Sequence, residues 1–458
     1  MSDRVPGAGP EPTGLPPEQL PTASGPLTGQ SARAERPPAE AGGHIPPPPR
    51  SNQLMREILR GSVVTTVLAI VASMIVGGIL IAATDETVQA TAGYFFARPQ
   101  DMLAAVWHAV SGGYYALFQG SIVNPEANSF VKFIRPLTNT LGFAAPLIAA
   151  GLGVALAFRA GLFNIGARGQ MLVACAAAAM ATFSLDLPLW IHMPLTLLAG
   201  IAGGAIWGGI AGLLKARTGA HEVILTIMLN FVALYLIRWL IRTPHLLQKP
   251  GTNQPISAPT PESAQFPSLL GEQFPLLNWG FPIVVIATLI VWWLIERSTL
   301  GFRLRAVGEN PHAARAAGIS VQRMYVYAML LAGGLAGMAG MNQILGSVPT
   351  GFGDGIDAGI GFDAITVALL GRSRAWGTFW AGLLFGALKA GSFTMQAAQS
   401  IPVDIVLVVE SMIVLFIAAP PLVRAIFFLP KDDSDRSARG RAKAVRRRAA
   451  ADSKAVAS

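Results

Sequence analysis

The side chains of this chain that have chemistry to offer lie inside long apolar segments. There they can bind through hydrogen bonds and charge. Asn164 and Gln170 open one such segment, and Asn230 sits in the middle of another. Asn342 and Gln343 come late in a third. Asp363 and Thr366 share a short Gly-rich segment near Phe352 and Phe362, and Lys389, Gln396 and Glu410 follow. A polar group in an apolar span is costly unless partnered, so each is by default a candidate for a solute path. Each also has a structural reading: Asn230 as a link between helices, Lys389 with Glu410 as an ion pair. Asp363 is the strongest path candidate, because Gly359 and Gly361 beside it allow backbone to line a cavity. Asn164, Asn230, Asn342, Asp363 and Thr366 would offer hydrogen bonds, and Phe352 and Phe362 an aromatic face.

Covalent chemistry finds no support. No G-x-x-x-x-G-K-[ST] phosphate loop occurs, so this chain is not expected to be an enzyme that hydrolyses ATP. His221-Glu222 lacks the second histidine of a zinc-protease motif. The six histidines are scattered, so neither a metal site nor another cofactor is expected. Cys175 is the single cysteine, which rules out an intramolecular disulfide.

The elements that must position these groups are membrane spans. The 458 residues are 52% hydrophobic and 13% charged, against about 25% charged in a soluble domain. The stretch 61–83 has no charge, and at a rise of ~1.5 Å per residue it crosses a hydrocarbon core of ~30 Å. Similar stretches recur, and the expected fold is an all-α polytopic membrane protein of about ten transmembrane helices. They fall near 61–83, 136–158, 164–184, 190–213, 222–242, 280–296, 323–346, 357–371, 376–397 and 403–427. Residues 102–119 are amphipathic and aromatic and are expected at the interface without spanning. In the fourth span Gly200, Gly204, Gly208 and Gly212 recur every four residues, a groove for a neighbouring backbone. Gly333 and Gly337, followed by Met341, repeat the device in the seventh.

The net charge of +9 follows the membrane pattern and does not point to nucleic acid. Arg56, Arg60, Arg159, Arg168, Lys215, Arg217, the arginines from Arg297 to Arg323, Arg372 and Arg374 fall on one side if both termini are cytoplasmic. The other side receives Asp85, Glu86, Asp186 and the long loop 243–279. Lys132, Arg135, Arg238 and Arg242 break the pattern. Residues 1–54 hold 13 of the 33 prolines and read as a disordered cytoplasmic tail. Residues 55–429 read as the transmembrane domain and 430–458 as a disordered basic cytoplasmic tail, whose Arg446–Arg448 run would lie in solvent or against anionic lipid.

The segment 299–322, TLGFRLRAVGENPHAARAAGISVQ, holds a short helix with its own signals. Asn310 can cap it, Pro311 suits its first position and Gly318 can end it. Glu309 to Gly318, basic through Arg315, are expected to form an isolated helix of about two turns, suited to docking in a groove of another protein or serving as a plain connector. Ala314 is expected on the docking surface.

Here the chain resembles a known family. GENPHAARAAGIS followed by GGLAGMAGMNQILG resembles the permease subunit of ATP-binding-cassette importers of the simple-sugar and nucleoside type. GLFNIGARGQMLV (161–173), HEVILTIMLNFVALYL (221–236) and GIGFDAITVALLGRSRAWGTFWAGLLFGAL (359–388) agree with it in order. The FNIGA and TIMLN blocks look most like the nucleoside-importing branch. Arg168 departs from that branch, which usually carries an acidic residue there. The resemblance implies a plasma-membrane permease that forms a dimeric pore, often with a non-identical homologue. It implies two cytoplasmic ATP-binding subunits received by the helix at Pro311–Ala317 as coupling helix. It also implies an extracellular solute-binding lipoprotein of the basic-membrane-protein type, delivering a nucleoside or simple sugar by alternating access. The alternatives are a branched-chain amino-acid permease of the same class and an ion-coupled secondary transporter using Asp363 or Glu410.

Overall fold

Proline, glycine and capping side chains divide the apolar chain into helices. The computed structural model describes residues 62–183 and 187–427. The tails 1–54 and 430–458, together with Arg56, Arg60 and Asp186, lie outside the described residues. Helix α1 is Ser62–Thr84. Helix α2, Glu86–Ala92, starts at Asp85, whose carboxylate accepts from the Val88 N–H at 2.9 Å. Then come α3 (Pro99–Ser121), α4 (Phe130–Arg159), α5 (Ala167–Phe183), α6 (Leu189–Thr218) and α7 (Glu222–Leu240). Gly219 ends α6 with φ +70°, a conformation that costs glycine nothing. Helices α8 (Gly280–Arg297), α9 (Thr299–Glu309) and α10 (Pro311–Ala316) follow. Helix α11, Val321–Asn342, runs on through a π-turn at Gln343–Ser347. The last are α12 (Ile360–Leu370), α13 (Ala375–Gln399), α14 (Asp404–Ala418) and α15 (Pro420–Ile426). Among the described residues the architecture is all-α, with two isolated β-bridges inside the 243–279 loop.

Six stretches are long and apolar enough to cross a membrane: Thr66–Thr84, Phe130–Arg159, Leu189–Thr218, Glu222–Leu240, Gly280–Arg297 and Val321–Ser347. The protein is therefore a multi-pass membrane protein. The other four expected spans come out differently, for visible reasons. Helices α5 and α12 are short, 17 and 11 residues. Helix α13 has 25 residues, but Trp, Gly and Lys389 dilute its apolar character. The stretch 403–427 is not one helix. It breaks at Ala419, because Pro420 and Pro421 have no N–H to continue the ladder.

Helix α4 is the centre of the bundle and is buried from Ala144 through Ala157. The two glycine rows turn out to face each other. Helix α6 lies on α11 so closely that a β-carbon at Gly204 would strike the Gly333 carbonyl oxygen, and one at Gly208 the Met329 carbonyl oxygen. Helix α3 runs along the last turns of α13, with Gly120 against Gly391 and Thr394. The Thr140 hydroxyl of α4 donates to the Ser121 carbonyl at 2.6 Å and holds the end of α3 in place.

At one end of the bundle the Gly161 and Gly308 backbones touch, and Arg159 Nε donates to the Ser373 carbonyl at 2.9 Å. This is the basic end, where α4 finishes, α9 and α10 lie, and α12 turns into α13. At the other end the 243–279 loop folds onto the segment after α11. Ser257 N–H donates to the Phe352 carbonyl, Thr260 N–H to Pro349 and Phe266 N–H to Leu345, each at 2.8 Å.

Candidate translocation path and docking helix

The start of α5 is built from the FNIGARGQ sequence and one residue of α7. Asn164 Oδ1 accepts from the Gly166 N–H at 2.9 Å, and its amide exchanges hydrogen bonds with Gln170 at 3.2 and 3.3 Å. From α7, Asn230 Oδ1 accepts the Gly169 N–H at 2.8 Å while its Nδ2 donates to the Ile165 carbonyl at 2.9 Å. The first N–H groups of a helix lack internal partners. Asn230 satisfies one of them across a helix boundary. All three amides are buried and occupied by the chain itself. Their geometry matches the linking role weighed for Asn230 and extends it to Asn164. Asn342 is also buried, its Nδ2 donating to the Met338 carbonyl one turn back at 3.1 Å. Phe352 is packed in a core cluster with Met341 and Ile344 and presents no open face.

A different picture holds around the segment 354–363. Asp354, Asp357 and Asp363 each meet a cation from a different helix. Arg238 of α7 reaches Asp354 Oδ2 at 2.6 Å, and Arg168 of α5 reaches Asp357 Oδ1 at 3.3 Å. Lys389 of α13 lies 4.0 Å from Asp363 Oδ2 and donates to the Ala358 carbonyl at 3.1 Å. The expected Lys389–Glu410 pair is corrected: Lys389 turns to α12, whose first turn brings Asp363 closer. Arg168 also lies over the Phe362 ring, 6.0 Å from its centroid, and Phe362 is half exposed. Thr366 stands one turn beyond Phe362 on the same face of α12.

These groups lie deep in the bundle. Gly361 packs on the Arg168 backbone, about ten residues, or ~15 Å, from the basic end of α12. Yet the side chains of Arg168, Asp363 and Lys389 remain 28, 27 and 26% exposed. Ionised groups at that depth do not face lipid.

Sequence reasoning named Phe362, Asp363 and Thr366, and noted Arg168 as a departure from the branch, but missed Asp354, Asp357 and their pairing with Arg238 and Arg168. A signal existed: two aspartates in a Gly-rich link, GDGID, and Arg238 stranded on the wrong side of the charge pattern. Each explains the other. Arg168, which departs from the resembling branch, has its own carboxylate in Asp357.

At the basic end, Asn310 Oδ1 accepts from the His312 and Ala313 N–H groups at 3.0 and 3.1 Å, and Gly318 follows α10 at φ +79°. Glu309 ends α9 and Pro311 opens α10. Two expectations are corrected. The helix is not isolated, because Leu304 and Val307 bury one face of α9 and set it directly before α10. Nor does Ala314 face outward: it is buried among Leu304, Val307 and Met324. Ala313, Arg315, Ala316 and Ala317 are exposed instead. Beside them is a cleft of about 830 Å³ lined by Phe302, Arg303, Arg323 and Tyr327.

Among known proteins, the family model described as branched-chain amino acid transport system / permease component matches residues 137–418. The guanosine ABC transporter permease protein NupP of Bacillus subtilis is 39% identical over 322 residues, 70% of this chain and 88% of that protein. The glucose ABC transporter permease protein TsgB13 of Haloferax volcanii is 36% identical, covering 64% of this chain and 80% of its own length. The nucleoside ABC transporter permease protein NupB of Lactococcus lactis is 36% identical, with 65 and 82% covered. No solved structure matches.

Proposed function

The chain belongs to the branched-chain amino acid transport system / permease component family, and from that premise we propose how it works. It is the permease subunit of an ATP-binding-cassette importer, and the ion-coupled reading is set aside. The proposed solute is a nucleoside. The names of two relatives support this, and so does the setting of Phe362, an aromatic face flanked by charged hydrogen-bonding groups. A simple sugar is the second reading, on the name of the third relative.

The observation that carries the path is the partial exposure of Arg168, Asp363 and Lys389, clustered away from the basic end of the bundle. Such groups need a polar corridor, and one wall of it is Phe362, Asp363 and Thr366. A second permease chain is proposed as the opposite wall, since lipid cannot fill that place. Helix α7 adds Met228, Phe231, Tyr235 and Trp239, all well exposed at helical spacing, as contact surface for it. The crossing count is proposed as ten, the six long helices with α5, α12, α13 and α14, and both termini as cytoplasmic. Helix α10 is proposed as the coupling helix, docking two ATP-binding subunits per permease pair, and a solute-binding lipoprotein would deliver solute at the 243–279 end.

Uptake by membrane vesicles holding the chain with its partner subunits tests this. ATP-dependent uptake of guanosine is expected, and Phe362→Ala should lower it roughly tenfold at unchanged abundance, the loss of about 1.4 kcal/mol of stacking. Uptake of leucine in preference to guanosine, or full guanosine uptake by Phe362→Ala, would reject the reading.

A further inference from the structure

Where α8 ends and α13 begins, a cleft of about 820 Å³ opens at the basic end of the bundle. Its lining combines two chemistries. Arg159, Arg297, Arg305 and Arg374 come from four separate segments. Trp292, Trp376 and Trp380 come from α8 and α13, and Trp380 is 65% exposed. Glu296 is the single acidic lining residue, and it reaches Arg305 at 3.4 Å. Arg159 donates to the Ser373 carbonyl. Among the described residues Arg297 and Arg374 have no counter-ion, and both are exposed.

We propose that this cleft is a binding site for the headgroup of an anionic phospholipid. The position fixes the depth: the cleft sits where two apolar helices meet the polar end of the bundle. Exposed tryptophans at that level are what an apolar body with one polar N–H prefers at a membrane interface. Four arginines against one glutamate leave three net positive charges for a phosphate, and basic pockets between helices at this level suit anionic headgroups. Guanidinium groups also match phosphate oxygens in pairs. The neighbouring cleft beside α10 shares Glu296, Arg297 and Arg305 but has no tryptophan in its lining, which suits a protein surface; the three tryptophans mark this one for lipid.

The test uses the full chain in phosphatidylcholine vesicles doped, at equal low mole fraction, with brominated phosphatidylglycerol or brominated phosphatidylcholine. Bromine quenches tryptophan on contact. Brominated phosphatidylglycerol should quench in excess of the neutral lipid and saturate. In the Arg297→Gln/Arg374→Gln double variant its apparent affinity should fall roughly thirtyfold, which converts to about 1 kcal/mol for each arginine. Equal quenching by the two lipids in the wild type would overturn the proposal, as would an excess that survives the double substitution. Competition on the wild-type chain keeps the test independent of the variant's folding. Unbrominated phosphatidylglycerol should displace the signal. If soluble glycerol phosphate displaced it equally well, the site would be for a free phosphate ester and the lipid proposal would fail. Loss of ATP-binding subunits from the double variant with unchanged lipid preference would instead identify the cleft as a protein contact and also overturn it.

Discussion

The Arg168–Asp357 pair makes an asymmetric prediction. The Asp357 side chain is 4% exposed and that of Arg168 is 28% exposed. Replacing Arg168 by Met leaves a carboxylate sealed in the bundle with no cation, and stranding a buried charge costs about 3 kcal/mol or more. Replacing Asp357 by Asn leaves an arginine that still reaches water and the Phe362 ring, so the cost is nearer that of an exposed pair, about 1 kcal/mol. The double variant removes both charges and should resemble Asp357→Asn alone. The expected coupling energy is therefore about 3 kcal/mol, at the top of the range for contacting residues. Thermal inactivation of the purified chain, followed by the loss of its monodisperse chromatographic peak, measures this. Arg168→Met should lower the midpoint by roughly 5–10 °C, and adding Asp357→Asn should restore most of it. Equal effects from the two single variants, or no rescue in the double, would refute the account of which partner is trapped.

Three further outcomes follow from the packing. Ala317→Asp, at the exposed C-cap of α10, should keep normal membrane abundance but lose ATP-binding subunits on co-purification; Ala314→Asp, buried among Leu304 and Val307, should lower abundance itself. Gly204→Leu should abolish accumulation of folded protein, because its β-carbon would meet the Gly333 carbonyl oxygen and neither backbone can move aside cheaply; a normal chromatographic profile would show that α6 and α11 are not so close. Asn253→Cys, exposed in the 243–279 loop, should react with a membrane-impermeant maleimide in intact cells, whereas the buried Cys175 should not; labelling only after permeabilisation would invert the proposed orientation.

What was legible in the sequence is what local chemistry decides. The apolar runs became helices, the Asn310 cap formed as its side chain allows, and the Gly200–Gly212 row packs on Gly333 and Gly337. The failures have a common cause, since they depend on which distant segments meet. Asp354 and Asp357, just before and at the start of an expected span, gain a role only where α7 and α5 bring Arg238 and Arg168 to them. Ala314 looked like a surface residue because nothing local announced that α9 would fold against it. Lys389 had two possible acidic partners, and only the packing of α12 on α13 decides for Asp363. The break at Ala419 was readable from Pro420-Pro421 and is a plain omission.

The three ion pairs along 354–363 also limit how the molecule can move. A segment fastened to α5, α7 and α13 at once cannot travel with any one of them unless the other two come along or let go. Kinematically, those three helices and the start of α12 form a single block. Any rearrangement of the bundle would carry this block as a unit or open one of its pairs. The turn between α12 and α13 closes the block at its basic end, and there Arg372 and Ser373 both hold positive φ, 53° and 51°. Two successive side-chain-bearing residues in that region cost energy that the surrounding packing must offset.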